Sequence, residues 1–175
     1  MNILEKLGTA FARWRLRKVG QESFDLHEVV SSVRRVLVVL PPGDLTVEEL
    51  DLLVSPLSPE GVTLLCVGRP SIAVDGWEVR ELSHEDLTLL RLPKKEALKE
   101  FGGYDLAVDL HLPYFLPSAY ICGASGASLR VSTDPEAPFP FFNLRYSTGA
   151  ESLGDRCRSL GKLFMSLAWG RRACS

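Results

Sequence analysis

The chain has 175 residues, 46% of them hydrophobic, which is enough for one well-buried core and too few for two ordinary domains. Its four cysteines, Cys66, Cys122, Cys157 and Cys174, form no Cys-x-x-Cys pair, which argues against a zinc knuckle or a redox dithiol and for reduced thiols in a cytosolic protein. The net charge of −2 is uneven: residues 1–18 (Lys6, Arg13, Arg15, Arg17 and Lys18 against Glu5) and residues 155–175 each sum to +4, and the acidic stretch between them speaks against a nucleic-acid binder.

Asn2 to Val19 sets Ile3, Leu7, Ala10, Phe11 and Trp14 at helical spacing among arginines and lysines, which predicts a basic amphipathic helix. Two readings of it stay open: docking on a membrane surface or a partner, and packing on its own domain or a second subunit. Gln21–Ser23 reads as a polar linker, so residues 1–24 form a leading unit and 25–175 the domain.

Val36–Leu40 is a continuous apolar run, the signature of a strand buried on both faces of a parallel sheet, and Pro41-Pro42-Gly43 ends it. Thr46 and Glu49 have capping-box spacing and predict a helix to about Leu57. Val62–Val67 is a second buried strand ended by Gly68-Arg69-Pro70, and Trp77–Arg80 is a short third one followed by a cap at Ser83. Lys94–Phe101 reads as a helix stopped by a glycine cap at Gly102-Gly103. Asp105–Leu110 is the fourth strand, Pro113–Cys122 a helix with proline in its first turn, Gly123–Gly126 a turn, and Leu129–Val131 the fifth strand.

Pro135, Pro138 and Pro140 punctuate an aromatic stretch read as a loop leading to an edge strand or an extended cover. Its Phe139–Phe142 cluster either forms an interface or closes the core. The last helix, Glu151–Trp169, has Leu153, Cys157, Leu160, Phe164 and Leu167 on one stripe. No apolar run reaches the roughly 20 residues that span a bilayer, and the first residues lack the apolar block of a secretory leader. Strands alternating with helices in this order predict a single α/β domain of the Rossmann-like kind: three layers around a mostly parallel sheet, preceded by the basic helix.

In such a sheet, ligands bind beyond the carboxyl ends of the strands where strand order reverses. If the first and fourth strands are neighbours, Asp44, Asp109 and His111 converge there. A carboxylate beside an imidazole can act as a general acid/base pair. The same residues have structural readings: Asp44 can satisfy free helix amides, Asp109 can bond loop backbone, and His111 can orient the turn before Pro113. Gly123-x-x-Gly126 follows a helix and precedes a strand, the reverse of a phosphate loop. Arg69 and Arg130 are candidates to meet an anionic ligand at the sheet edge, or to be solvated or ion-paired. No metal or cofactor is expected.

A Gly-Asp after the first strand (Gly43-Asp44), a Tyr-Asp-Leu-x-x-Asp-Leu strand (Tyr104–Leu110), small residues leading to Arg-Val (Pro117–Val131) and a terminal helix resemble the N-terminal Rossmann-like half of the heptosyltransferase-like glycosyltransferases of family 9, which have the two-half GT-B architecture. The resemblance spans roughly residues 33–170. It implies that Asp44 matches the carboxylate that deprotonates the sugar acceptor. Pro41-Pro42 and Ser132 depart from that pattern, and a chain without the donor-binding half is expected not to transfer sugar alone. The layout of a basic helix and one such half, with Phe141-Phe142-Asn143-Leu144, also resembles a family of small bacterial proteins to which no activity is assigned.

The leading expectation is therefore a non-catalytic or cryptically active binding or scaffold module in the cytoplasm, extending to the inner membrane face. Asp44 and His111 are its candidate acid/base groups and Gly43, Asp109 and Arg130 its candidate ligand-binding groups. One alternative is a glycosyltransferase component that borrows a donor-binding partner, with Asp44 as general base. The other is a nucleotide or sugar-phosphate binder. Expected partners are a protein or a second copy of the chain, with peripheral membrane contact through residues 1–18.

Overall fold

A computed structural model describes residues 3–19, 24–68 and 72–169. The expectations for Gln21–Ser23, Arg69 and Cys174 fall outside them. The protein is an α/β domain built on one six-stranded, all-parallel sheet: β1 (Arg35–Leu40), β2 (Gly61–Val67), β3 (Glu78–Leu82), β4 (Leu106–Asp109), β5 (Leu129–Ser132) and β6 (Leu144–Arg145). Their spatial order is β3-β2-β1-β4-β5-β6, so strand order reverses between β1 and β4, with Val36 opposite Leu106 and Val39 opposite Asp109. This is the Rossmann-like strand order, and β1/β4 is its switch point.

The continuous apolar runs follow from burial on both faces. Val36, Val38 and Leu40 of β1 join Leu106, Val108 and Leu110 under α2 (Leu26–Ser31), α3 (Val47–Val54) and α6 (Leu153–Trp169). Leu37, Val39 and Ala107 point the other way, into a layer formed by α1 (Ile3–Arg15), α5 (Leu116–Ala124), Phe101, Tyr104 and Phe141. Cys66, Cys122 and Cys157 are unpaired and buried.

The expected capping box is present: Thr46 Oγ1 accepts from the Glu49 amide at 3.2 Å, and Glu49 Oε2 accepts from the Thr46 amide at 3.0 Å. Close crossing of α3 and α6 requires glycine, because a Cβ on Gly161 would lie 2.0 Å from the Leu52 carbonyl oxygen. On the opposite layer, a Cβ on Gly8 would lie 2.4 Å from the Leu90 carbonyl oxygen, and one on Gly123 would lie 2.5 Å from Leu16 Cδ1.

Several elements differ from the sequence reading. Helix α2, capped by Asp25, is an addition. The helix expected over Lys94–Phe101 shrinks to one α turn, α4 (Lys95–Leu98), continued as a 3-10 turn to Phe101; the expected glycine stop is there, with Gly102 the C-cap in extended conformation and Gly103 following at φ +80°. Gly123 belongs to α5, where its missing side chain admits Leu16; only Gly126, at φ +80°, makes the turn. The aromatic stretch closes the core with Phe141 and Phe142 and leads into edge strand β6, leaving Phe139 exposed.

Candidate functional site

Strand β4 carries carboxylates at both ends. Asp105, just before it, accepts backbone N–H groups of Arg34 and Arg35 at 2.9 and 2.8 Å and so fixes where β1 begins. Asp109, at its last residue and fully buried, organises the turn that leaves the sheet at the switch point. Its Oδ1 accepts from the His111 amide at 3.0 Å and lies 2.7 Å from His111 Nδ1. Its Oδ2 is 2.8 Å from Ser118 Oγ on α5.

A carboxylate only accepts hydrogen bonds, so the imidazole hydrogen sits on Nδ1 and Nε2 is left as the second, independent function of the ring. His111 is buried, its ring stacks on Phe115 with centroids 5.5 Å apart, and among the described residues Nε2 has no hydrogen-bond partner. An unsatisfied buried nitrogen costs about 1–3 kcal/mol, a penalty that a ligand donor or proton at Nε2 would relieve.

Aspartate, histidine and serine together suggest a nucleophilic triad, and the geometry argues otherwise. In a triad the base nitrogen facing the serine is the one remote from the carboxylate. Here Ser118 Oγ is 3.4 Å from Nδ1, on the carboxylate side, and also 2.9 Å from the Phe115 carbonyl oxygen. Ser118 therefore buttresses Asp109 and has no base to activate it.

The remaining predicted residues fall in different places. Gly43 and Asp44 are exposed on the loop between β1 and α3, on the β1 side of the switch point. Asp109 and His111 are bonded to each other, and no hydrogen bond or ion pair joins Asp44 to either of them. Arg130 is not at a sheet edge: it is only 2% exposed, gives Nε to the Phe141 carbonyl at 3.1 Å and Nη1 to the Ala127 carbonyl at 2.7 Å, and Nη2 has no partner among the described residues. Burial lowers its pKa, and its bonds tie the 127–141 loops to β5.

Two contributors were missed in the sequence reading. Ser118 is one. Arg156, buried on α6, donates Nη1 to the Leu110 carbonyl at 2.7 Å, and its Nε has no partner among the described residues. The peptide just past β4 is thus held by a cation from one layer and followed by the Asp109–His111 pair on the other. Among the described residues no ion pair to Arg156 occurs, and no three His, Cys, Asp or Glu side chains gather as a metal site would need. No helix among them is long and apolar enough to cross a membrane.

Fold and site together define a Rossmann-like α/β domain with a buried polar cluster at its switch point. No protein-family model matches the chain, and no curated protein matches it.

Proposed function

We propose that this protein is a cytoplasmic ligand-binding module without covalent chemistry of its own, taking a phosphate-bearing nucleotide or sugar at the β1/β4 crevice. The observation that carries this reading is two buried nitrogens without a hydrogen-bond partner among the described residues, His111 Nε2 and Arg156 Nε, on the two layers that meet at the end of β4. A hydroxyl that donates to His111 Nε2 and a phosphate oxygen that accepts from the Arg156 Nε–H are the groups that would satisfy them. The wrongly sided Ser118 speaks for binding over catalysis.

The resemblance to a bacterial family 9, heptosyltransferase-like half-domain supports a sugar phosphate or nucleotide sugar as the ligand class. One observation favours the transferase-component reading as second choice: Asp44 is exposed on the β1 loop, where an acceptor hydroxyl could reach it.

Thermal shift with nucleoside diphosphates, sugar phosphates and nucleotide sugars tests the proposal. A ligand at about 100 times its Kd stabilises by about 2.7 kcal/mol. The gain should vanish in His111→Phe, which keeps the stack on Phe115 and removes Nε2, and persist in Asp44→Asn. Loss in Asp44→Asn alone would favour the transferase component, and no stabilisation by any of these compounds would overturn the crevice reading.

A further inference from the structure

Helix α1 has two apolar faces, and the domain uses the smaller one. Gly8, Ala12 and Leu16 are buried, with Gly8 pressed on the Leu90 carbonyl and Leu16 filling the space over Gly123. The large side chains lie on the other side. Ile3 is 76% exposed, Leu7 55% and Trp14 58%, and Leu4 and Phe11 are exposed beside them. Positions 3, 7 and 14 with 4 and 11 cover one arc of a 3.6-residue helix, so this is one continuous stripe.

A second element extends the stripe. Leu89, 92% exposed, stands at the tip of a turn closed by the Leu87–Pro93 bridge and by the Arg91 amide bonding the Thr88 carbonyl at 2.9 Å. Arg91 adopts φ +57° there. Leu89 shares with Phe11 and Arg15 a groove of about 420 Å³ that Lys94 and Lys95 also line. Two separate pieces of chain therefore present large apolar side chains on one surface.

The charges say what covers it. Lys6 and Arg13 flank the stripe on one side and Arg15 on the other, and the Arg15 and Arg17 guanidiniums lie 5.9 and 5.5 Å from the Phe11 and Trp14 rings. Glu5, the only acid of α1, pairs with Arg91 at 3.2 Å, and Glu96 is the acid next to Lys94 and Lys95. Two copies meeting through this face would oppose like charges. A layer with an apolar interior and an anionic surface matches both features.

We propose that α1 and the Leu89 turn form a peripheral docking surface for an anionic lipid bilayer, with Ile3, Leu7, Phe11, Trp14 and Leu89 entering the headgroup boundary and the flanking lysines and arginines meeting lipid phosphates. Because α1 is locked to the body through Gly8 and Gly123, the whole domain docks in one orientation, with α5 and the β4 turn next to the lipid-facing helix.

The test is co-sedimentation of the full chain with phosphatidylcholine vesicles, with and without phosphatidylglycerol, at low and high salt. Retention is expected on the anionic vesicles and should weaken with salt as charges are screened. The double variant Leu7→Ser/Trp14→Ser should weaken it by at least about tenfold, since each buried side chain contributes through its apolar area. Leu89→Ser, on a different element, should weaken it as well. Both variants change exposed positions and should keep the wild-type melting temperature. Absence of retention on anionic vesicles at low salt, equal retention on neutral ones, or a concentration-dependent dimer abolished by the double variant would overturn the proposal.

Discussion

Replacing Asp109 by leucine and by asparagine separates what the carboxylate does from what its shape does. Leucine removes every acceptor and leaves two buried donors of His111, the amide and Nδ1–H, together with the Ser118 hydroxyl, which can still turn to the Phe115 carbonyl 2.9 Å away. Two orphaned donors at about 1–3 kcal/mol each, plus strain in the turn, give a loss on the order of 4 kcal/mol. Asparagine keeps Oδ1 for both His111 donors and offers its NH₂ group to Ser118 Oγ, whose own hydrogen moves to Phe115. Only the charge assistance and one N–H are then lost, about 1–2 kcal/mol. For a chain of this size that is a drop in Tm of about 10 °C or more against roughly 5 °C. Urea unfolding followed by circular dichroism and tryptophan fluorescence reads both, and imidazole ¹⁵N NMR reads the Nδ1–H tautomer directly. Equal, sub-kcal effects of the two variants, or a hydrogen on Nε2 alone at neutral pH, would refute the clamp.

Gly161→Ala should cost about 1–3 kcal/mol in the same unfolding assay, because its Cβ would meet the Leu52 carbonyl and force α3 and α6 apart. Gly8→Val should release α1 from the body while the sheet stays folded, seen as faster amide exchange over residues 3–15 with little change over β1 and β4. Burial pushes the Cys157 thiol up to about 12, so the folded chain keeps that proton after the unfolded chain has lost it. The stability this group contributes is whole below about pH 9 and is lost as pH rises toward 12, by on the order of 4 kcal/mol. Cys157→Ala should flatten the decline in stability between pH 8 and 11 relative to the parent chain; an unchanged slope would contradict it.

The sheet was legible in the sequence because a strand buried on both faces needs no partner to announce itself: Val36–Leu40 and Val62–Val67 are apolar at every position except Thr63. The α3 cap was legible because Thr46 and Glu49 satisfy each other within one turn. What escaped was set by distant partners. Six-residue α2 is too short for a periodic signal and rests on Asp25 and on packing against α6. The shortened α4 loses its last turn where Phe101 enters the core. For α1 the stripe was seen and its direction was not, since Gly8 and Ala12 look featureless until Leu90 and Leu116 lie against them. At the site, Asp109 and His111 were legible from their places at the end of a buried strand. Ser118 and Arg156 were not, because a hydroxyl on a mostly apolar helix and a cation in a basic terminal helix acquire meaning only from the strand end they reach. Arg130 was misread as an edge cation because nothing local reveals that two loop carbonyls await it.

The two carboxylates of β4 also act as a ruler for the sheet. Side chains alternate between layers, so sliding β4 by one residue against β1 would swing Asp109 from its polar turn into the aliphatic layer of Val38 and Leu40, away from the His111 amide and the Ser118 hydroxyl that bond it. The same slip would pull Asp105 away from the amides of Arg34 and Arg35. A strand made only of valine and leucine has several pairings of nearly equal energy, whereas one bracketed by two anions has a single acceptable alignment. The polar residues that interrupt this apolar strand therefore guard against misassembly, and that role would persist in a relative that binds nothing.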